Sequence, residues 1–299
     1  MQFVSQKSGF LGVEEKYLKS ANDAKVVVVP FGLEKSVSYG GGTKNGPKAI
    51  IKASKQVELF DEEFWCEPFR KYGVATLKNP KIDYSSVVNS LDQLEKITAK
   101  ILAAQKFPLI LGGEHSITAG SIRPFVKKYP DLAILHFDAH ADLRDGFDGE
   151  HYSHAAALRR VMDHPISTLI SCGIRNISAS EIPFLEANRH RIHMHFGKDR
   201  RNWNAKKIVE PLKGRPVFLT FDLDGFDSSL MQATGTPEPG GVMWEDALDI
   251  IREASKISNI VGADVVELAP VKALHSCDFL AAKLCYKILS YTFLNNKNE

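Results

Sequence analysis

The sequence predicts an α/β fold in which a parallel sheet is covered by helices on both faces. Three observations predict it. Short apolar runs alternate with longer amphipathic ones along nearly the whole chain. Runs such as Lys25–Pro30 are β-branched and apolar almost throughout, as strands buried on both faces are. No stretch rich in Gly, Pro or Ser divides the chain, and there is no internal repeat. Strands alternating with helices are the mark of βαβ units and a parallel sheet. With 299 residues, one large domain is as reasonable as two, since domains average roughly 100–200 residues but α/β folds often reach about 250 as a unit.

The elements follow in order. Lys25–Pro30 is the first strand. Ser86–Lys106 carries Val87, Val88, Leu91, Leu94, Ile97, Ile101 and Leu102 at steps of three and four, which is one helix face. Pro108–Leu111 reads as a strand, Ser116–Lys128 as a helix and Leu132–Phe137 as the next strand. Ser167–Gly173, Arg191–Phe196, Pro216–Phe221 and Ile260–Leu268 are further strands. Ser178–Ala187, Trp203–Leu212, Trp244–Ala254 and about Asp278–Phe293 are the helices between and after them. That gives roughly seven strands.

Bulk properties exclude several classes. Thirty-eight basic against 36 acidic residues leave a charge of +2, with no dense basic stripe, so no nucleic-acid partner is expected. The longest apolar run near the N-terminus, Val26–Phe31, is far too short to cross a bilayer, and Met1–Lys16 lacks the apolar core of an export signal. Cys66, Cys172, Cys277 and Cys285 show no C-x-x-C spacing. Reduced thiols in a cytoplasmic protein without membrane contact are therefore expected.

In parallel sheets the functional groups gather beyond the carboxyl ends of the strands. Three such ends carry the same chemistry. Leu109–Ser116 (LILGGEHS) brings His115 into a loop. Leu135–Arg144 (LHFDAHADLR) places Asp138, His140 and Asp142 at alternate positions, on one face if the segment is extended. Phe218–Asp227 (FLTFDLDGFD) repeats the pattern with Asp222 and Asp224, while Asp227 suits a turn. Adjacent buried carboxylates are costly unless a cation compensates. Four aspartates balance two divalent ions. The oxygen-rich donor set without thiolate favours Mn²⁺ over Zn²⁺, and two ions can hold one hydroxide as a nucleophile at neutral pH.

GGEHS, HFDAHAD and FDLDGFD resemble the ureohydrolases, the family of arginase and agmatinase. Ser38–Pro47 (SYGGGTKNGP), Thr234–Gly241 (TGTPEPGG) and Val265–Pro270 (VVELAP) look agmatinase-like in particular, and the likeness runs from about Val26 to Tyr291. It implies an arginase-like fold: a single-domain three-layer αβα arrangement with a mostly parallel sheet of about eight strands, assembled as a homotrimer or homohexamer. It implies two Mn²⁺ per chain, one held by His115, Asp138, Asp142 and Asp222, the other by Asp138, His140, Asp222 and Asp224. It further implies that a metal-bridging hydroxide attacks the guanidino carbon and that Asp142 passes a proton to the leaving amine. Glu267 would grip the guanidinium, and His154, with His151 as a rival, would exchange protons with solvent. The implied reaction is cleavage of agmatine to putrescine and urea, a step of polyamine biosynthesis.

Other signals point elsewhere or nowhere. Gly41–Gly46 has the spacing of a phosphate loop, but Pro47-Lys48 follows it instead of Lys-Ser/Thr. His193 and His195 lack a carboxylate partner, His136 reads as a core or supporting residue, and Cys172 as core. Substrate choice is less determined. Arg144 stands where arginases place an Asn near the amino-acid carboxylate, which argues against arginine. An Arg turned into the pocket would favour guanidinobutyrate, whereas Asp145, Asp148 and Glu150 offer charge for the ammonium of agmatine or aminopropyl-agmatine. A formiminoglutamase, a deacetylase-like single-zinc enzyme and a non-catalytic metal or polyamine binder are the remaining alternatives.

Overall fold

The computed structural model describes residues 1–18 and 20–295. Among them one sheet holds eight strands: β1 (Val26–Phe31), β2 (Val74–Thr76), β3 (Phe107–Gly112), β4 (Ala133–Phe137), β5 (Thr168–Ile174), β6 (Ile192–Phe196), β7 (Pro216–Asp222) and β8 (Asn259–Val266). The order across the sheet is β2-β1-β3-β8-β7-β4-β5-β6, and every neighbouring pair is parallel.

The alternation of side chains explains the three layers. Val26 and Val28 pack on one face with Ile50, Phe69 and the C-terminal helix His275–Leu294. Val27 and Val29 pack on the other with Val87, Leu91 and Leu94 of the helix Val87–Ala103. Both sets are fully buried, so β1 is apolar at all six positions. The helix Val87–Ala103 starts where Ser86 accepts a hydrogen bond from the Asn89 backbone at 3.0 Å, satisfying one orphan N–H of its first turn. Trp244–Ile257 is the other long helix against the sheet, packing Ala247, Ile250, Ile251 and Ala254 on it.

Three expectations change. β2, three residues long at the sheet edge and too short to give a periodic signal, is missing from the seven strands read off the residues and brings the sheet to the eight that the resemblance implies. The segment Ser116–Lys128 is not one helix. It divides into a 3₁₀ turn at His115–Ile117 and short helices at Thr118–Ser121 and Arg123–Lys128, the last entered through Pro124, which has no N–H to donate to a preceding turn. Trp203–Leu212 keeps only Ala205–Val209 as α-helix, followed by a 3₁₀ turn at Glu210–Leu212. A helix at Gly46–Ser54, with Pro47 in its first turn, follows the glycine-rich loop. All four cysteines are free. Among the described residues no helix is long and apolar enough to cross a membrane.

Candidate metal centre and active-site pocket

The four central strands β3, β8, β7 and β4 end beside one another, and their carboxyl ends deliver Glu267 and all six residues of the expected cluster. The approach is close. A Cβ at Gly113 would lie 1.9 Å from Leu33 O, so only glycine lets the chain leaving β3 pass the end of β1. A Cβ at Gly225 would lie 2.7 Å from the Asp138 backbone nitrogen, so glycine also sets how near the β7 turn comes to Asp138.

The side chains converge, but not along extended segments. β4 ends at Phe137, and the chain after it turns, with Asp142 in the left-handed region at φ 51°. Asp142 therefore reaches the cluster through an unusual backbone angle instead of strand alternation. Asp222 is the last residue of β7, and Asp224 lies in the 3₁₀ turn Leu223–Gly225, its backbone donating to Asp222 Oδ1 at 2.9 Å. Both strand ends, after β4 and after β7, share one local device. Asp138 and Asp222 each cap a backbone N–H freed where the strand stops, Asp138 Oδ1 accepting from His140 N at 2.7 Å, and Asp224 Oδ1 accepts from Ala139 N at 3.1 Å across the two turns.

His115 Nδ1 lies 3.1 Å from Asp138 Oδ2, 3.1 Å from Asp142 Oδ2 and 3.3 Å from Asp222 Oδ2. It is buried and makes no well-formed hydrogen bond. His140 Nδ1 lies 3.1 Å from Asp224 Oδ2 and 3.4 Å from Asp138 Oδ1. Asp138, His140 and Asp224 have donor atoms close enough to hold one ion, and Asp138 also faces His115. Among the described residues no Lys or Arg side chain pairs with any of the four aspartates. An imidazole nitrogen and carboxylate oxygens aimed at one point, with no cationic side chain, fit divalent cations.

The electrostatics say the same. Burial disfavours the charged form of His115, but Asp138, Asp142 and Asp222 outweigh it and raise its pKa well above the usual histidine range. Burial also opposes His140, which Asp138 and Asp224 nevertheless push up to about 12. Burial and then the Asp138 charge push Asp142 up to about 7. Burial, followed by the Asp224 and Asp138 charges, raises Asp222 well above the carboxylate range. Without metal, the cluster thus retains protons that bound cations would replace.

Supporting groups fix the ligands. His136 Nε2 meets Asp138 Oδ2 at 2.9 Å, and its Nδ1 meets Ser171 Oγ at 3.0 Å. His115 Nε2 meets Thr220 Oγ1 at 2.9 Å. Arg175, in the loop after β5, donates to Asp224 O at 2.8 Å and Phe226 O at 3.1 Å, pinning the β7 turn.

A cavity of about 320 Å³ opens over the cluster. Glu267 lines it from just beyond β8, at φ 65°, and is buried, so it sits at the floor. Its Oε1 accepts the His115 N–H at 2.7 Å. Burial and then the Glu114 charge hold its pKa well above the carboxylate range. His154 also lines the cavity, whereas His151 does not and instead contacts Arg160. Asp145, Asp148 and Glu150 lie outside the lining, and Asp145 is paired with Arg160 at 2.6 Å, so these acids are not placed for an ammonium. Glu181 does line the cavity, accepting from Leu143 N at 2.8 Å and Ser178 N at 2.6 Å. Arg144 lines it too, its guanidinium 4.8 Å from the Phe147 ring centre. His193 and His195 are on the edge strand β6, outside the cavity lining.

Sequence reasoning missed Arg175, Glu181 and the supporting role of Glu114. Glu114 was visible beside His115 in GGEHS. Nothing in the sequence tied Arg175 or Glu181 to the pocket.

Fold and site define an α/β protein built around a candidate metal centre. The arginase-family profile matches residues 24–290. An N(1)-aminopropylagmatine ureohydrolase of Synechocystis is 34% identical over 300 residues, covering 97% of this chain and 95% of its own. An agmatinase of Bacillus cereus is 36% identical over 259 residues, covering 84% and 86%. The crystal structure of an agmatine ureohydrolase of Thermoplasma volcanium superposes with a TM-score of 0.83 at 29% identity, covering 97% of this chain and 95% of that one. The chain belongs to the arginase family. Within that family it is an agmatinase-type ureohydrolase, an enzyme that hydrolyses the linear amidine C–N bond of guanidino compounds.

Proposed function

We propose that this chain, as one domain over residues 1–299, is a binuclear-manganese hydrolase that cleaves agmatine to putrescine and urea. It would work in the cytoplasm as a homotrimer or homohexamer, in polyamine biosynthesis. The observation that carries the reading is His115 Nδ1, buried and facing three carboxylate oxygens within 3.3 Å. His115, Asp138, Asp142 and Asp222 would hold one ion, and Asp138, His140, Asp222 and Asp224 the other. When bound, the ions would supply electrophilic charge and the means to ionise water near neutral pH.

The chain's own residues do the rest. A guanidinium brought to Glu267 relieves the repulsion between that carboxylate and Glu114. Because Oε1 is tied to the His115 N–H, Oε2 is the freer oxygen for the substrate. Hydrolysis forms a C–O bond and breaks a C–N bond, and the departing amine must gain a proton. Asp142, which lines the cavity beside the cluster, is placed to carry it. Above the cluster, Tyr39, Phe147 and Ile177 line the path for a methylene chain, and Glu181 offers negative charge to a terminal ammonium. Aminopropyl-agmatine satisfies the same features with a longer tail.

A second reading has its own observation. Arg144 lines the cavity and forms no ion pair among the described residues, which favours a guanidino acid such as guanidinobutyrate. Urea release from agmatine, aminopropyl-agmatine, guanidinobutyrate and arginine separates the two. The first reading expects the amine-tailed substrates to show the highest kcat/KM; a clear preference for guanidinobutyrate, lost in Arg144→Ala, replaces it with the second. The metal reading is tested by Asp138→Asn, which should lose bound manganese and urea release together, measured by metal analysis and assay. Full manganese content and full activity in that variant would refute it.

A further inference from the structure

The loop after β1 and the loop after β3 meet at one carboxylate. Glu114, fully buried, accepts from Lys35 N at 2.5 Å, Ser36 N at 2.6 Å, Ser116 Oγ at 2.5 Å and Ser36 Oγ at 3.0 Å. Gly113 makes the meeting possible, because Glu114 N also reaches Leu33 O at 2.8 Å. Ser36 Oγ in turn lies 3.0 Å from His154 N and 3.3 Å from His154 Nδ1. On the far side of the ring, His154 Nε2 lies 2.8 Å from Ser38 Oγ. Ser38 is exposed and lines the cavity.

The hydrogen bonds have one consistent direction. A carboxylate only accepts, and a serine hydroxyl has a single proton. Ser36 spends that proton on Glu114, so its oxygen offers only lone pairs to His154: one accepts the backbone N–H, and the other faces Nδ1 at 3.3 Å, where a bare nitrogen would repel it and an Nδ1–H is accepted. Nε2 is then the lone pair, accepting from Ser38. We propose that Glu114, acting through Ser36, holds His154 in its Nδ1–H form, and that Ser38 is the hydroxyl that passes protons between His154 Nε2 and solvent. This rests on the reading of His154 as the proton-exchanging residue. Glu114 and Ser36 are positioning residues, since neither is placed to touch substrate. In the relay Ser38 Oγ gains a proton from water as its own proton passes to Nε2, forming one O–H bond as the other breaks; the reverse sequence returns a proton to solvent, and Ser38 stays a neutral hydroxyl throughout. The charged and titratable groups around His154 are Glu114 and His115 from the end of β3 and Asp138 and His140 from the end of β4. The edge of Phe147 closes the remaining side.

The test combines spectroscopy with kinetics on the full chain. Imidazole ¹⁵N shifts are recorded with diamagnetic Zn²⁺ in place of manganese, the His154 signals being assigned by their loss in His154→Asn. The parent should show a protonated Nδ1 and an unprotonated Nε2 above the histidine pKa. Ser36→Ala should mix the two tautomers. In the manganese-loaded enzyme, Ser38→Ala should lower kcat about tenfold near neutral pH, a fraction of what general acid–base groups contribute, with KM little changed. Ser38→Thr, which keeps the hydroxyl, should restore it. A parental tautomer in Ser36→Ala, or a parental kcat in Ser38→Ala while His154→Asn is slow, overturns the proposal alone. A parental kcat and pH profile in His154→Asn overturns the underlying reading and the proposal with it.

Discussion

At the residue scale, the site is a set of charges that repel one another until something else arrives. Asp138, Asp142, Asp222 and Asp224 are all buried within a few ångströms of one another. His154 differs from them. Burial lowers its pKa below the usual 6.5, so it is neutral at pH 7 and gains its proton only on further acidification. Activity that needs the free imidazole should therefore fall on an acid limb below pH 6.5. His154→Asn should lower kcat by roughly 10²-fold or more near neutrality and remove that limb, as a kcat–pH series would show. The types of the ligands were legible in the sequence, because His and Asp recur at three strand ends. Their route to the cluster was not. The left-handed angles of Asp142 and Glu267 leave no trace in local spacing, and the extended pattern read for Asp138–Asp142 came from assuming that the strand continued.

At the element scale, aromatic packing holds the motif ends in place. Phe137 and Phe221 stack with ring centres 4.6 Å apart, one residue before Asp138 and Asp222 respectively, and Phe226 packs on Phe221 at 4.9 Å. Phe221→Ala should cost about 3–5 kcal/mol and also weaken metal retention, measurable by denaturant melts and metal analysis. A second lock joins the C-terminal helix to the segment after residue 60. Lys287 Nζ lies 2.9 Å from Asp61 Oδ2, with both side chains buried. Lys287→Met strands a buried carboxylate and should cost about 3–5 kcal/mol, read from the same melts. Long strands and helices with a clear apolar period were readable from sequence. The three-residue β2 and the broken helix after His115 were not, because their form is imposed by neighbours in space.

At the scale of the whole molecule, metal and fold are linked. Ions bound to the folded state alone stabilise it by an amount that grows with the logarithm of the free-ion concentration, so chelation should lower Tm and added Mn²⁺ restore it. The pH dependence has a definite sign. Asp142, raised to about 7 in the metal-free fold, contributes stability fully present below its unfolded pKa near 3.8 and lost as pH rises through 7. The gap in Tm between loaded and chelated protein should therefore widen from pH 5 to pH 7. A gap that stays constant across that range would deny the coupling.

The strand order carries a consequence for biosynthesis. β3, β8, β7 and β4 are adjacent in space, yet β8 is the last strand made. A ribosome that has released β3 and β4 has produced three of the aspartate and histidine donors after Phe137 and one before it, but no scaffold to hold them together. Asp138, His140, Asp222 and Asp224 come from β4 and β7, which pair directly, whereas β3, which carries His115, joins β7 only through Asn259–Val266. The His115 side of the cluster is thus the part that waits for the last strand to be made.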